Sequence, residues 1–277
     1  MPEVLPTSTS ISADDLFRLI GTGHAPLVID VCLPDDFAED PRRIPSSITI
    51  PFADAADGHI HDPGGRRVVV ACHKGKKLSE GVAAHLRHRG IPACTLQGGR
   101  VGWAAADLPM VPAGIVPPPR ADGSTLWVTR ARPKIDGVAC PWLIRRFVDP
   151  HAVVLFVAPE EVLGVAERFG ATPFDIENVA FSRRGEGSTF DTMIDAFALT
   201  TPALRCLARI VRGADTARLE TVPEAAGLLA FSLGLSHRFH DDIEQTESGL
   251  ALYDALYLWC RDGRGETHNW PSKAAGA

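Results

Sequence analysis

No apolar run in the 277 residues approaches the roughly 20 needed to cross a bilayer, so a membrane span is not expected. The start, Met1-Pro2-Glu3-Val4-Leu5-Pro6, has no basic residue followed by an apolar stretch, which argues against a secretory signal. The six cysteines, at 32, 72, 94, 140, 206 and 260, include no close pair of the zinc-ribbon kind. A cytoplasmic protein with mostly buried thiols is the expectation, with one or two of them reactive. Neither half is basic. Residues 1–120 carry 12 Lys and Arg against 13 Asp and Glu, and residues 121–277 carry 16 against 21. That excess of acid, with no helix-turn-helix bearing a basic recognition face, leaves DNA as a partner that is not favoured. There is no internal repeat, no low-complexity segment and no flavin or nicotinamide fingerprint, so no cofactor is expected.

What is present divides in two. Hydrophobic residues make up 45% of the chain and charged residues 22%, an ordinary globular balance at a length suited to two domains. In the first half, short apolar runs alternate with helical patterns. Ser12 is placed to cap a helix with Asp14 and Asp15 in its first turn. Leu27–Val31, Ile48–Ile50, Arg67–Ala71 and Ala93–Leu96 read as strands, and Glu80–Arg89 as a helix stopped by Gly90. A short helix is expected around Trp103. The pattern implies an α/β fold with a mostly parallel sheet over residues 1–110. Five prolines at 109, 112, 117, 118 and 119 break it, so residues 111–124 read as a stiff, extended linker. The second half, 125–262, opens with a strand at Leu126–Val128 and becomes mainly helical, an α+β domain. Its helices are expected from Pro141 to Phe147, Pro159 to Arg168, and at about 202–212, 223–234 and 241–261, with a strand at Val153–Val157. Residues 263–277 read as a loose tail.

The chemistry of the first half gathers at Cys72-His73-Lys74-Gly75-Lys76-Lys77-Leu78-Ser79. A buried strand ends at the cysteine, a basic glycine loop follows, and a helix begins. Loop amides and the helix N-terminus then favour an anion at the sulfur, which makes Cys72 a nucleophilic thiolate in a cradle for small oxyanions. His73, Lys74, Gly75, Lys76, Lys77 and Ser79 form that cradle. Leu27–Val31, Ile44–Pro51, the Cys72 loop, and Leu96-Gln97-Gly98-Gly99 with Trp103 occur in the order of the signatures of a rhodanese domain, which this half resembles. The resemblance implies a sulfurtransferase. Cys72 would take sulfur from a donor such as thiosulfate as a persulfide and hand it to a thiol acceptor. It also implies that Asp30 organises the site from a strand end. Two features depart from the family. Ser79 comes seven residues after the cysteine, where six is usual, and Lys77 stands where an arginine is often found. The longer spacing is similar to that of related phosphatases, but Leu78 occupies the place of their arginine fork, so phosphate-ester hydrolysis lacks its transition-state support. Cys32, just past the Asp30-Val31 strand end, reads either as a small core residue or as a resolving thiol for Cys72.

The second half resembles the C-terminal domain of chromate-resistance proteins of the ChrB type, through Trp127–Asp136, Ala139–Phe147, Thr172–Ile176, Val211–Asp215 and Ser232–Leu235. The resemblance implies a role in chromate resistance, in which regulation or sensing is an alternative to sulfur transfer. A non-catalytic regulator that senses chromate or thiol oxidation is the competing reading, and stoichiometric chromate reduction by Cys72 a third. Arg130, Arg132, Lys134, Arg145 and Arg146 cluster near one helix start and are a candidate site for a dianion such as chromate or thiosulfate. The other reading is that Asp136, Asp175, Asp191 and Asp215 pair with them. Cys140 is either a buried thiol or a second reactive one. His237 and His240 are three apart and neighbour Asp241 and Asp242, but no third strong ligand is evident, so no metal is expected.

Overall fold

A computed structural model describes residues 9–61 and 63–266. The chain begins with β1 (Ser10–Ile11) and α1 (Ala13–Leu19), where Ser12 Oγ accepts the Asp15 amide at 3.1 Å as its sequence position implies. There follow β2 (Leu27–Asp30), α2 (Pro34–Glu39), β3 (Arg42–Arg43), β4 (Ser47–Thr49), α3 (Phe52–Ala56), β5 (Val68–Ala71), α4 (Lys77–His88), β6 (Ala93–Leu96) and α5 (Gly99–Ala105). Strands β1, β6, β5, β2 and β4 lie in that order as one parallel sheet. β2 and β5 are buried along their whole length, which explains their unbroken apolar sequence. α4 starts at Lys77, three residues before the expected Glu80. It lays Val82, Ala83 and Leu86 on the sheet face formed by Leu27, Ile29, Val68 and Val70.

The proline-rich segment is not a free spacer. β7 (Val111–Pro112) pairs antiparallel with β3, and Met110, Val111 and Val116 are buried. Proline there ends strands and turns the chain, while the residues between supply core contacts. Next come β8 (Leu126–Arg130), α6 (Ile135–Leu143), β9 (Val153–Val157), α7 (Val162–Phe169), β10 (Thr172–Pro173), α8 (Thr189–Ala196), α9 (Pro202–Asp215), α10 (Glu224–Arg238) and α11 (Asp242–Leu258). β10, β8 and β9 form a second parallel sheet, and helices make up most of the remainder. One expectation is corrected here. Pro141 does not open a helix; it sits inside α6, which begins at Ile135. The missing proline amide loosens the ladder, and the helix runs on as a π turn over Ile144–Val148. The helix α8 and strand β10, which the sequence reading lacked, are present. Of the expected tail, residues up to 266 are described and continue a π turn at Trp259–Gly263; residues 267–277 lie outside the described part.

The two halves share one core. Leu16, Ile20 and Trp103 from the first belong to the same buried cluster as Trp142, Phe147 and Tyr257 from the second. Gly21, at φ +82°, lies where any Cβ would run into the rings of Phe147 and Tyr257. Across the same seam the Ser46 amide donates to the Phe147 carbonyl at 2.7 Å, Arg261 donates to the Arg18 carbonyl at 2.6 Å, and His61 stacks on His151 with centroids 4.5 Å apart. Among the described residues no helix is long and apolar enough to cross a membrane.

Candidate functional site

Cys72 follows the last residue of β5, at the carboxyl edge of the parallel sheet, and only 4% of it is exposed. It packs with Val31 and Val70 under α4. The loop behind it folds tightly for a definite reason. Gly75 has φ +65°, and any Cβ there would meet the Leu96 carbonyl and the amides of Gly98 and Gly99. Gly99 is pressed in turn against the Cys72 carbonyl and the Gly75 amide. The first turn of α5 then donates twice to the loop, Arg100 N–H to the Cys72 carbonyl and Val101 N–H to the His73 carbonyl, each at 3.0 Å. The Gly98-Gly99 motif and the Cys72 loop are one packed unit.

Beside the sulfur is a cavity of about 720 Å³ lined by Cys72, His73, Lys74, Lys76, Lys77 and Leu78 together with Asp36 and Glu80. No side chain caps the start of α4, so its first-turn amides are available to a bound anion. His73 lies 3.8 Å from Glu39. Among the described residues, Lys74, Lys76 and Lys77 have no carboxylate partner. Ser79, fully buried, brings Oγ to 3.2 Å from Cys72 Sγ and donates to the Lys76 carbonyl at 3.0 Å. A hydroxyl has one proton. With a neutral thiol, S–H donates to Ser79 Oγ and Ser79 donates to Lys76; with a thiolate, the Ser79 proton can turn to the sulfur.

Asp30 lies behind the loop. It is fully buried, and one carboxylate oxygen accepts the Cys32 amide at 3.0 Å. The other is 3.5 Å from Arg100 Nε. Burial pushes the Asp30 carboxyl up to about 6, against the opposing pull of Arg100 and, more weakly, of the Cys32 amide, Arg43 and His73. Arg100, 4% exposed, donates to the carbonyls of Asp40 and Arg42 and covers the Phe37 ring at 4.3 Å. Arg100 thus ties the segment after α2 to the Cys72 loop, a role the sequence reading did not assign; its place immediately after Gly98-Gly99 was the available signal. Cys32 sits with Asp30 and Arg100, and burial followed by the Asp30 charge raises its thiol. Cys72 belongs to the packing cluster under α4, which does not include Cys32. Both thiols are free.

In the second half the five expected cations do not converge. Arg130 pairs with Asp175 at 3.2 Å, and Arg132 bonds to Ser236 and the Phe239 carbonyl beside Asp242. Arg145 pairs with Glu247, and Arg146 with Asp254 through two bonds of 2.8 and 2.9 Å. Lys134 is exposed where α6 starts. Each of the four arginines thus has a carboxylate brought from far along the chain, Asp175 for Arg130 and three residues of α11, Asp242, Glu247 and Asp254, for Arg132, Arg145 and Arg146. Arg183 and Arg212 likewise pair with Asp215 and Asp191. Asp136 is not paired with an arginine; it accepts the Thr189 amide at 2.6 Å, and burial drives its carboxyl well up. Cys140 lies inside α6, fully buried, its thiol raised by burial and by Asp136. His237 lies in the last turn of α10, and His240 just beyond its end. No group of metal-ligating residues occurs among the described residues.

Comparison with known proteins follows this division. The rhodanese-like domain model matches residues 12–106, and the model of the ChrB C-terminal domain matches residues 127–260. Protein ChrB of Cupriavidus metallidurans is 33% identical over 138 residues, 47% of this chain and 39% of that protein, so the match spans well under half of the relative's length. Solved structures similar to the first half include a rhodanese-like domain protein from Staphylococcus aureus, 24% identical over 35% of this chain and 91% of that chain, TM-score 0.31. A rhodanese-related protein from Thermoplasma volcanium is 24% identical over 38% of this chain and 98% of that one, TM-score 0.32. The chain thus joins a rhodanese-like domain, residues 12–106, to a ChrB C-terminal domain, residues 127–260.

Proposed function

We propose that the chain is a sulfurtransferase that carries sulfur as a persulfide on Cys72 and acts in chromate resistance. The carrying observation is the sulfur itself, in the lining of a cavity that also holds three lysines without carboxylate partners among the described residues, and 3.2 Å from the Ser79 hydroxyl. The Cys72 thiolate attacks the outer sulfur of thiosulfate. The sulfur–sulfur bond of the donor breaks, sulfite leaves with the electron pair, and Cys72 becomes a persulfide. Lys74, Lys76 and Lys77 with the α4 amides hold the sulfonate oxygens and the charge on the departing sulfite. Ser79 donates to the attacking sulfur, and later to the thiolate released when a thiol acceptor takes the outer sulfur. Asp30 and Arg100 act through the loop backbone. Chromate is a tetrahedral dianion like thiosulfate, and the same cradle suits it. The role in chromate resistance rests on residues 127–260 and their likeness to Protein ChrB. The test is thiocyanate formation from thiosulfate and cyanide. The intact chain should turn over, and Cys72→Ser should fall to the uncatalysed rate; thiocyanate formation unchanged in that variant would overturn the assignment.

A further inference from the structure

The second sheet ends on an open edge. In the order β10-β8-β9, β9 has β8 on one side and no strand on the other among the described residues. The Val153 amide donates to Thr125 and the Val157 carbonyl accepts from Ala131, both on the β8 side. In a parallel ladder alternate residues serve the same neighbour, so the N–H and C=O groups of Val154 and Phe156 point outward. The edge sequence Ala152-Val153-Val154-Leu155-Phe156-Val157-Ala158 contains no charge and no proline, the usual devices that keep edges apart. Beside it runs a groove of about 710 Å³, with Leu155, Phe156, Val165, Phe169 and Ile243 among its lining. Phe169 is 63% exposed and Ile243 57%.

The two ends of this groove differ in charge. Arg120 stands at the Val153 end, since its amide donates to the Ser124 carbonyl, next to the Thr125 that anchors Val153; its half-exposed guanidinium lies 3.7 Å from Asp122 and keeps donors free toward the groove. Asp241 and Asp242 stand at the Val157 end; Asp242 is held by the Arg132 amide and guanidinium just beyond the end of β8, which leaves Asp241 as the carboxylate without a cation there among the described residues. An antiparallel copy of the same edge would bring each basic end against an acidic one.

We propose that a second copy of this chain pairs on this edge, β9 against β9, antiparallel about a two-fold axis at Leu155. Val154 then faces the partner's Phe156, and both exchange N–H and C=O bonds. The symmetric pair does the same, so all four outward groups on each strand are used. Leu155 faces the partner's Leu155 in a non-hydrogen-bonded pair, where side chains lie closest. Arg120 meets the partner's Asp241 at both ends. The two three-stranded sheets become one continuous sheet, and the apolar groove residues pack across the seam.

Sedimentation of the full chain tests this. The expected mass is twice 29.7 kDa at micromolar concentration. Leu155→Lys and Leu155→Glu place like charges face to face, so each alone should be monomeric, while an equimolar mixture should regain the dimer. Leu155→Cys, a smaller change, should crosslink at position 155 under mild oxidation, because non-hydrogen-bonded pairs hold Cα atoms about 4.5 Å apart, within disulfide range. A wild-type monomer at the highest soluble concentration would overturn the proposal. If its Val154 and Phe156 amides were then protected from exchange, the chain's own termini cover the edge; if not, a different partner does. Dimers that survive Leu155→Lys, with no crosslink at position 155, would overturn it in favour of another interface.

Discussion

Replacing Arg100 by methionine should destabilise the chain, and by more at pH 8 than at pH 5. Arg100 is the cation nearest the fully buried Asp30, at 3.5 Å, and both are shielded from water. Truncating one partner of a buried pair costs about 3–5 kcal/mol because the other charge is left uncompensated. Part of that cost depends on pH. In the native chain the Asp30 carboxyl sits at about 6 against 3.8 for an ordinary one, so its protonated form favours the folded state. Its contribution is fully present below 3.8 and is lost as pH rises through about 6, a difference of about 3 kcal/mol. Without Arg100 the folded value moves higher still. The loss then grows and extends to higher pH, while at pH 5 the carboxyl is protonated and the missing cation matters less. Urea unfolding followed by far-UV circular dichroism at pH 5, 6, 7 and 8 gives the difference directly. The double variant Asp30→Asn with Arg100→Met should flatten the pH dependence of Arg100→Met. An Arg100→Met penalty that is the same at pH 5 and pH 8 would refute the reasoning, because it would make the arginine a packing element and not a counter-charge.

Three further outcomes follow from the same contacts. Ser79→Ala removes one hydrogen bond to a charged sulfur, worth about 1.5 kcal/mol, so stopped-flow loading from thiosulfate should slow roughly tenfold with the fold intact. Gly21→Ala forces a side chain at φ +82° into Phe147 and Tyr257 and should cost about 2 kcal/mol, with both halves unfolding in a single transition by near-UV circular dichroism. Iodoacetamide mapping of the native chain should label Cys72 and leave Cys140 and Cys94 untouched until urea is added, since both of the latter are fully buried.

The candidate site was legible in the sequence because it is local. A valine-rich strand, a cysteine, a basic glycine loop and a helix lie within about twenty positions, and the geometry follows from their order. Gly98-Gly99 was visible too, although its reason, contact with the Cys72 and Gly75 backbone, is not written in its own neighbourhood. What the sequence hid is long-range. Arg145 and Arg146 look like free cations beside one another, yet their partners Glu247 and Asp254 arrive from α11, more than a hundred residues later. Prolines at 109–119 resemble a spacer, but Val111 and Val116 are core residues, and the seam they cross is closed by Trp103, Trp142 and Tyr257. Pro141 looked like a helix start because first turns favour proline; here burial of α6 on every side outweighs the lost amide bond. β10 is two residues long and holds its place through β8, so no local pattern marks it.

The most direct measurement of the central claim is the mass of the chain after incubation with thiosulfate, with peptide mapping of the product. The account predicts a gain of one sulfur atom on Cys72, absent in Cys72→Ser and discharged by cyanide or a thiol. A chain that gains no sulfur, while its Cys72 still reacts quickly with an alkylating agent, would contradict it and leave the cavity as an oxyanion site without sulfur transfer.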